Sequence, residues 1–273
     1  MDGEKLKNNC YSLEDLRKYL TEKAKKHKSL KFYSQLSRIE NIVKTKALYL
    51  SDGSNWNDVE DRNSFNSSNS SQKNFGICFS FSISENIAMW MLYGGVNKNG
   101  AMLKLSPQDI VEAISTLESL EIGYFKQNEF IKTTVVTKEH FKVTLIDVVY
   151  YAREEQGKCT IKRGDERCKD ISTRTIDGIK YAKKQYPWFY ENECRLIVSV
   201  SKNYIKEMEK STTIKFPIDN LSEKKRDKVV LAPDFEGSSL YEKSKMSGKV
   251  SWNLLANYQY KCYKACRDRQ KDT

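Results

Sequence analysis

The stretch Trp188-Phe189-Tyr190-Glu191-Asn192-Glu193-Cys194-Arg195-Leu196-Ile197-Val198 limits the folds open to this chain more than any other. Its β-branched apolar end favours an extended backbone, and in a strand alternate side chains share a face. Glu191, Glu193 and Arg195 are then expected in a row on one face, with Asn192, Cys194 and Leu196 on the other. Two carboxylates so close raise at least one pKa, while the Arg195 guanidinium pulls the other way. Two readings stay open: a chemical site on a half-buried strand, or a plain Glu193–Arg195 salt bridge on an edge strand.

Around this stretch the pattern alternates between helix and strand. Ser12 suits an N-cap for a helix over 11–28, with Leu13, Leu16 and Leu20 near helical spacing and a lysine-rich outer face. A short strand follows over 29–33, a helix over 37–46, and a strand over 47–51 that ends in the turn residues Asp52-Gly53-Ser54-Asn55. The Ser- and Asn-rich residues 62–74 read as a loop. Strands are expected over 76–81 and 100–105, with a short helix through Met89, Trp90, Leu92 and Tyr93 between them. Pro107 opens a helix to about residue 119. A strand is expected over 143–151, a charged segment over 153–170, a helix over 172–185, and short strands over 212–216 and 229–231. Helices interleaved with strands, without repeats or a long linker, predict an α+β fold with a mixed, split β-sheet and flanking helices. The expected organisation is an N-terminal accessory helix over 1–28, one α+β domain over 29–250 and a C-terminal basic helix or tail over 251–273.

The formal net charge is +11, which favours polyanionic partners. Lys162, Arg163, Arg167, Lys180, Lys183 and Lys184 could track nucleic-acid phosphates, with Tyr181, Tyr186 and Trp188 offering rings for base stacking. A solvated basic face above core aromatics is the plainer reading. Seven cysteines without regular spacing, and no apolar leader, suggest free thiols in the cytoplasm. No apolar run is long enough to span a bilayer, so no membrane partner is expected. Glycine-rich phosphate and dinucleotide fingerprints are absent from the sequence. His27 and His140, both in polar surroundings, read as surface residues, so no metal site is expected.

An ordered set of segments carries a resemblance. It comprises Leu48-Tyr49-Leu50-Ser51, Trp56-Asn57-Asp58, Cys78-Phe79-Ser80, Met89-Trp90 with Tyr93, Gly100-Ala101-Met102-Leu103, Val149-Tyr150, Lys180-Tyr181, Trp188 with Tyr190–Arg195, and Lys243-Ser244-Lys245. Over residues 29–250 the chain resembles the bacterial family of unknown function numbered twenty-nine seventy-one. More distantly, the early strand–helix–strand unit ending in Ser and an Asn-Asp turn resembles the start of ADP-ribosyltransferase folds. Those proteins place a His or Arg on the first strand, an aromatic residue or Ser on the second, and a Glu late in the chain. Here Phe32 stands where related sequences carry a His before Tyr33, and Lys31 or Arg38 could supply the cation.

The resemblance implies cleavage of NAD at the nicotinamide–ribose bond, with transfer to nucleic acid or protein in a bacterial toxin or phage-defence setting. Bond breaking develops oxocarbenium character, which a carboxylate beside the sugar stabilises. Glu193 is the candidate carboxylate and Glu191 its orienting or acceptor-activating partner. Tyr33, Tyr49, Ser51, Asn57, Asp58 and Trp90 are the candidates for holding the cofactor. Core packing for the aromatics and a simple turn at Asn57-Asp58 are the alternatives. A nucleic-acid-binding effector and a catalytically degenerate interaction protein are the competing functions.

Overall fold

The computed structural model describes residues 12–66, 70–83, 86–93, 99–153, 158–163, 170–172, 178–219 and 228–232. Their order is α1 (Leu13–Lys25), β1 (Leu30–Gln35), α2 (Leu36–Thr45), β2 (Ala47–Ser51), α3 (Val59–Phe65), β3 (Gln72–Ser80), α4 (Ile87–Tyr93), β4 (Gly100–Leu105), α5 (Pro107–Thr116), β5 (Ser119–Lys126), β6 (Glu129–Thr137), β7 (Phe141–Asp147), β8 (Val149–Arg153), β9 (Lys158–Arg163), β10 (Asp170–Ser172), β11 (Lys183–Gln185), β12 (Glu193–Ser201), β13 (Thr213–Pro217) and β14 (Lys228–Leu231). The fold class is α+β, as the sequence pattern predicts.

Local chemistry accounts for the element ends. The Ser12 hydroxyl accepts from the Asp15 N–H to start α1, and Ser106 does the same for α5 ahead of Pro107. Asp58 caps α3 by accepting from the N–H groups of Glu60 and Asp61. Lys46, in the left-handed region, stops α2 and turns the chain into β2.

The larger sheet runs β14-β4-β1-β3-β2-β13-β5-β6, with β12 on the other side of β3 and β7 beyond it. Every described pair in it is antiparallel. It forks at β3, because β1 joins through Lys31 opposite Ser80 while β2 joins through Ser51 opposite Gly76. A smaller sheet, β10-β9-β8-β11, holds the parallel pair β8–β11.

Alternation along the strands gives the large sheet two different faces. One carries the main core, where Phe32, Phe75, Ile77, Phe79, Leu196 and Val198 meet Ile39 and Ile42 of α2 and Ile110 of α5. The other carries two smaller apolar clusters. Tyr33, Met89, Trp90, Met102, Val230 and Ala232 form one, and Leu16, Leu20, Phe65, Ile146, Tyr151 and Ile197 form the other. Between them lies a polar band.

The structure corrects several local expectations. The segment 62–74 holds the end of α3 and the start of β3, with 67–69 outside the described residues. The strand expected over 143–151 breaks at Val148 into β7 and β8, which belong to different sheets. Where a helix was expected over 172–185, residues 180–182 form a single 3₁₀ turn and 183–185 form β11; residues 173–177 lie outside the description. The β5–β6 hairpin had no counterpart in the sequence reading. Gln127 and Asn128, both at positive φ, make its tight turn. His27 is not a free surface residue: its Nε2 lies 2.7 Å from the buried Asp147 carboxylate, and its ring stacks on Phe81.

Candidate functional site

The strand β12 begins only at Glu193. Trp188, Phe189, Tyr190 and Glu191 belong to the 3₁₀ turn Tyr186–Glu191, and Asn192 adopts a left-handed conformation. Glu191 is therefore not in a strand row with Glu193 and Arg195. Its carboxylate still reaches them, through a lysine. Nor is β12 an edge strand, since it lies between β3 and β7.

Arg195 is fully buried and anchors the polar band. Its Nε donates to Glu193 Oε1 at 2.7 Å and its Nη2 to Glu193 Oε2 at 3.1 Å. On its other side it makes a forked pair with Asp61 of α3, at 2.8 and 2.5 Å. The Tyr181 carbonyl accepts a further bond from Nη1. Lys184 of β11 enters from the small sheet, 2.5 Å from Glu191 Oε2 and 3.2 Å from Glu193 Oε2. Tyr93 of α4 donates to Glu191 Oε1 at 2.7 Å. The Glu193 N–H donates to the Tyr150 hydroxyl. Trp56 lies over the Arg195 guanidinium and Trp188 over the Lys184 ammonium.

Among the described residues, the carboxylates of Asp61, Glu191 and Glu193 thus face the cations Arg195 and Lys184. Burial acts to raise the Glu193 carboxyl, but Arg195 and Lys184 outweigh it and hold Glu193 well below the usual carboxylate range. Burial and the neighbouring Glu193 charge together raise Glu191, with Lys184 opposing them. Lys184 is raised despite burial because Glu193 and Glu191 stabilise its charge. Burial keeps the Cys78 thiol protonated beside Glu193. The two carboxyls are driven apart, Glu193 downward and Glu191 upward, which is the separation that acid–base chemistry uses.

A second alignment crosses three strands. Lys31 of β1 is paired with Ser80 of β3, and Ser80 is paired with Glu193 of β12. Cross-strand partners share a face, so lysine, serine and glutamate form one row spanning roughly 10 Å at the ordinary strand spacing. All three side chains are buried. The neighbouring pair, Cys78 opposite Arg195, continues the same face. Position 32 points the other way, into the main core, where Arg38 lies over the Phe32 ring. The β1 cation on the Glu193 face is Lys31.

Residues 89–196 match the family described as Protein of unknown function (DUF2971). The matched span contains Tyr93, Tyr150, Lys184, Glu191, Glu193 and Arg195, and leaves out Lys31, Asp61 and Ser80. No curated protein and no solved structure gives a significant match to the chain. Among the described residues no helix is long and apolar enough to cross a membrane.

The other candidate residues divide by face and by strand. Tyr33 and Trp90 meet edge to face at 4.8 Å on the face that carries Glu193. Tyr49 packs against Phe125 and Phe130 in the main core, on the far branch of the fork. The Ser51 hydroxyl accepts from the Gly53 N–H and serves the turn. Asp58 works as the cap that orients α3, and Asn57 is exposed beside it. Lys180 is exposed, whereas Lys183 is buried against the Tyr151 ring and Lys184 is consumed by the charge cluster. These two therefore do not line a solvent-facing phosphate track. Lys162 and Arg163 lie on β9 with their side chains outside the description, and Arg167 lies outside the described residues.

Asp61 and Ser80 are site residues that sequence reasoning missed; for Asp61 a signal existed. The signal was present in Asp58-Val59-Glu60-Asp61, an N-cap followed three residues later by an acid.

Proposed function

We propose that the chain is an ADP-ribosyltransferase-like enzyme that cleaves NAD at the nicotinamide–ribose bond. The observation that carries this reading is the register row Lys31–Ser80–Glu193. The row puts a lysine of the first strand, a serine of the third and a late glutamate on one face, where the distant resemblance calls for a His or Arg on the first strand, an aromatic residue or Ser on the second and a late Glu. The serine of the row is Ser80 and not Ser51.

In this reading Glu193, kept ionised and oriented by Arg195, holds the ribose hydroxyl and stabilises the developing oxocarbenium charge. Glu191, with its raised pKa, accepts the proton of the attacking nucleophile. Tyr33 and Trp90 supply rings on the same face. Ser80 and Glu193 are closed to solvent, so NAD entry requires the cover over them to open. The net charge of +11 favours an anionic acceptor, nucleic acid ahead of protein.

The test is nicotinamide release from NAD by the purified protein. Glu193→Gln is expected to lower kcat by about 10²–10³-fold, the usual cost of losing an electrostatic stabiliser. Ser80→Ala, a small change that leaves the ion cluster intact, is expected to lower it as well. Release that is unchanged in both variants removes the row from the chemistry.

A catalytically degenerate interaction protein is the second reading. It is favoured by the pairing of both Glu193 oxygens with Arg195. It predicts no nicotinamide release from the unmodified protein.

A further inference from the structure

Glu191 is 2% exposed, and both of its carboxylate oxygens are already engaged. Oε2 lies 2.5 Å from the Lys184 ammonium, which is itself buried against Asp61, Glu193 and the Trp188 ring. Oε1 accepts from the Tyr93 hydroxyl at 2.7 Å. Of these two partners Lys184 is closed to solvent, whereas Tyr93, the last residue of α4, is half-buried. Among the described residues, a proton that reaches Glu191 from outside the cluster meets Tyr93 first.

A phenol can pass a proton in two ways. It can ionise, or it can accept a proton on its oxygen while giving up its own. Ionisation is closed to Tyr93, because burial and the neighbouring Glu191 charge push its hydroxyl far above the ordinary phenol range. The second way is open. Among the described residues no donor reaches the Tyr93 oxygen, so its lone pairs are there to accept. The Tyr150 hydroxyl differs on both counts: its side chain is buried and its oxygen takes the Glu193 N–H.

We propose that Tyr93 is a further catalytic residue of the NAD reaction, relaying the proton of the attacking nucleophile to Glu191. The inference rests on the NAD reading and deepens it. With water as nucleophile, the water oxygen bonds to ribose C1′ as the bond from C1′ to the nicotinamide nitrogen breaks. That bonding pair leaves on the ring nitrogen, which loses its positive charge. One water proton passes to the Tyr93 oxygen while the Tyr93 proton passes to Glu191 Oε1. Tyr93 ends as the neutral phenol it began as, and Glu191 ends protonated, so the pyridinium cation and the carboxylate anion are discharged together. The same path in reverse returns the proton to solvent.

The experiment measures nicotinamide release from NAD by the full chain, with water as the nucleophile and then with added azide, an anion that has no proton to give up. Tyr93→Phe keeps the ring and removes only the hydroxyl. It is expected to lower kcat with water by about 10²–10⁴-fold, the usual contribution of a positioned acid–base group, with KM for NAD unchanged. Azide is expected to restore release. Glu191→Gln is expected to show the same loss and the same rescue. Release with water by Tyr93→Phe that equals the unmodified protein would overturn the relay and leave the NAD reading intact. A loss in Tyr93→Phe that azide does not restore would overturn it too, by making Tyr93 a structural support. Loss in Glu191→Gln alone would show that the nucleophile meets Glu191 directly, and would also overturn the relay. Absence of release by the unmodified protein with either nucleophile would overturn the NAD reading and the relay with it. Thermal unfolding of all three proteins checks that they share one folded state.

Discussion

Arg195 and Asp61 stand 134 residues apart in the chain and share two hydrogen bonds of 2.8 and 2.5 Å with almost no access to water. The pair pins α3 onto the sheet and sets the orientation of the guanidinium that holds Glu193. A buried ion pair costs desolvation to form, but losing one partner leaves the other charged and unpaired. Asp61→Ala is therefore expected to destabilise the fold by about 3–5 kcal/mol in urea unfolding. A double-mutant cycle with Arg195→Met should recover a large coupling energy; simple additivity would show the pair to be incidental.

The cluster predicts a pH profile whose limits come from opposite directions. Glu193 is lowered, so its contribution is full above its unfolded value, near 4.5, and is lost as pH falls through the folded value. Lys184 is raised, so its contribution is full below its unfolded value, near 10.5, and is lost as pH rises through the folded value. Glu191 is also raised, and its contribution fades as pH climbs above about 4.5 toward its folded value. The stability of Glu191→Gln relative to the unmodified chain is expected to improve as pH rises above about 4.5, while that of Glu193→Gln worsens as pH rises from 3 to about 5 and then levels off. Thermal unfolding from pH 3 to 7 checks both signs.

Gly76 lies where β3 passes under α3. A Cβ at this position would sit 2.9 Å from the tip of the Phe65 ring and 3.5 Å from the Leu196 carbonyl. Gly76→Ala is expected to cost about 1–3 kcal/mol by overpacking. Adding Phe65→Leu should recover part of that loss. Chemical denaturation of the single and double variants measures the rescue, and no recovery would point to backbone strain instead.

Asp58 was a candidate for holding ribose, and its observed bonds are to the helix it caps. Asp58→Ala is expected to cost about 1 kcal/mol, and Asp58→Ser much less. If Asp58 touched substrate, Asp58→Ser would raise KM for NAD while leaving stability near that of the unmodified chain. Steady-state kinetics and unfolding measured together separate the roles.

Much of the local architecture could be read from residue order because its causes are local. Ser12 ahead of Leu13, Pro107 behind Ser106, and the apolar runs 47–51 and 100–105 carry their helix or strand preference within a few residues. The same logic expects at least one of Glu191 and Glu193 to be raised with Arg195 pulling the other way, but it rests on a single strand row, and Glu191 lies in the turn before β12. It failed where a short-range signal met a long-range competitor. Lys180–Gln185 has helix-forming side chains, yet Lys183–Gln185 is drawn out to pair with Val149–Tyr151. The strand over 143–151 looked continuous because nothing in its composition marks Val148 as the point where the chain changes sheets.

What the residues determined unaided was the alternation of helices and strands, the α+β class, and an acid pair with an arginine ahead of a β-branched apolar run. Tertiary structure alone decided that Ser80, rather than Ser51, stands beside Glu193, that Lys31 rather than position 32 faces it, and that Asp61 and Lys184 complete its charge balance. Strand register and the meeting of distant segments depend on how the whole sheet buries its two faces, and no window of a few residues contains that information.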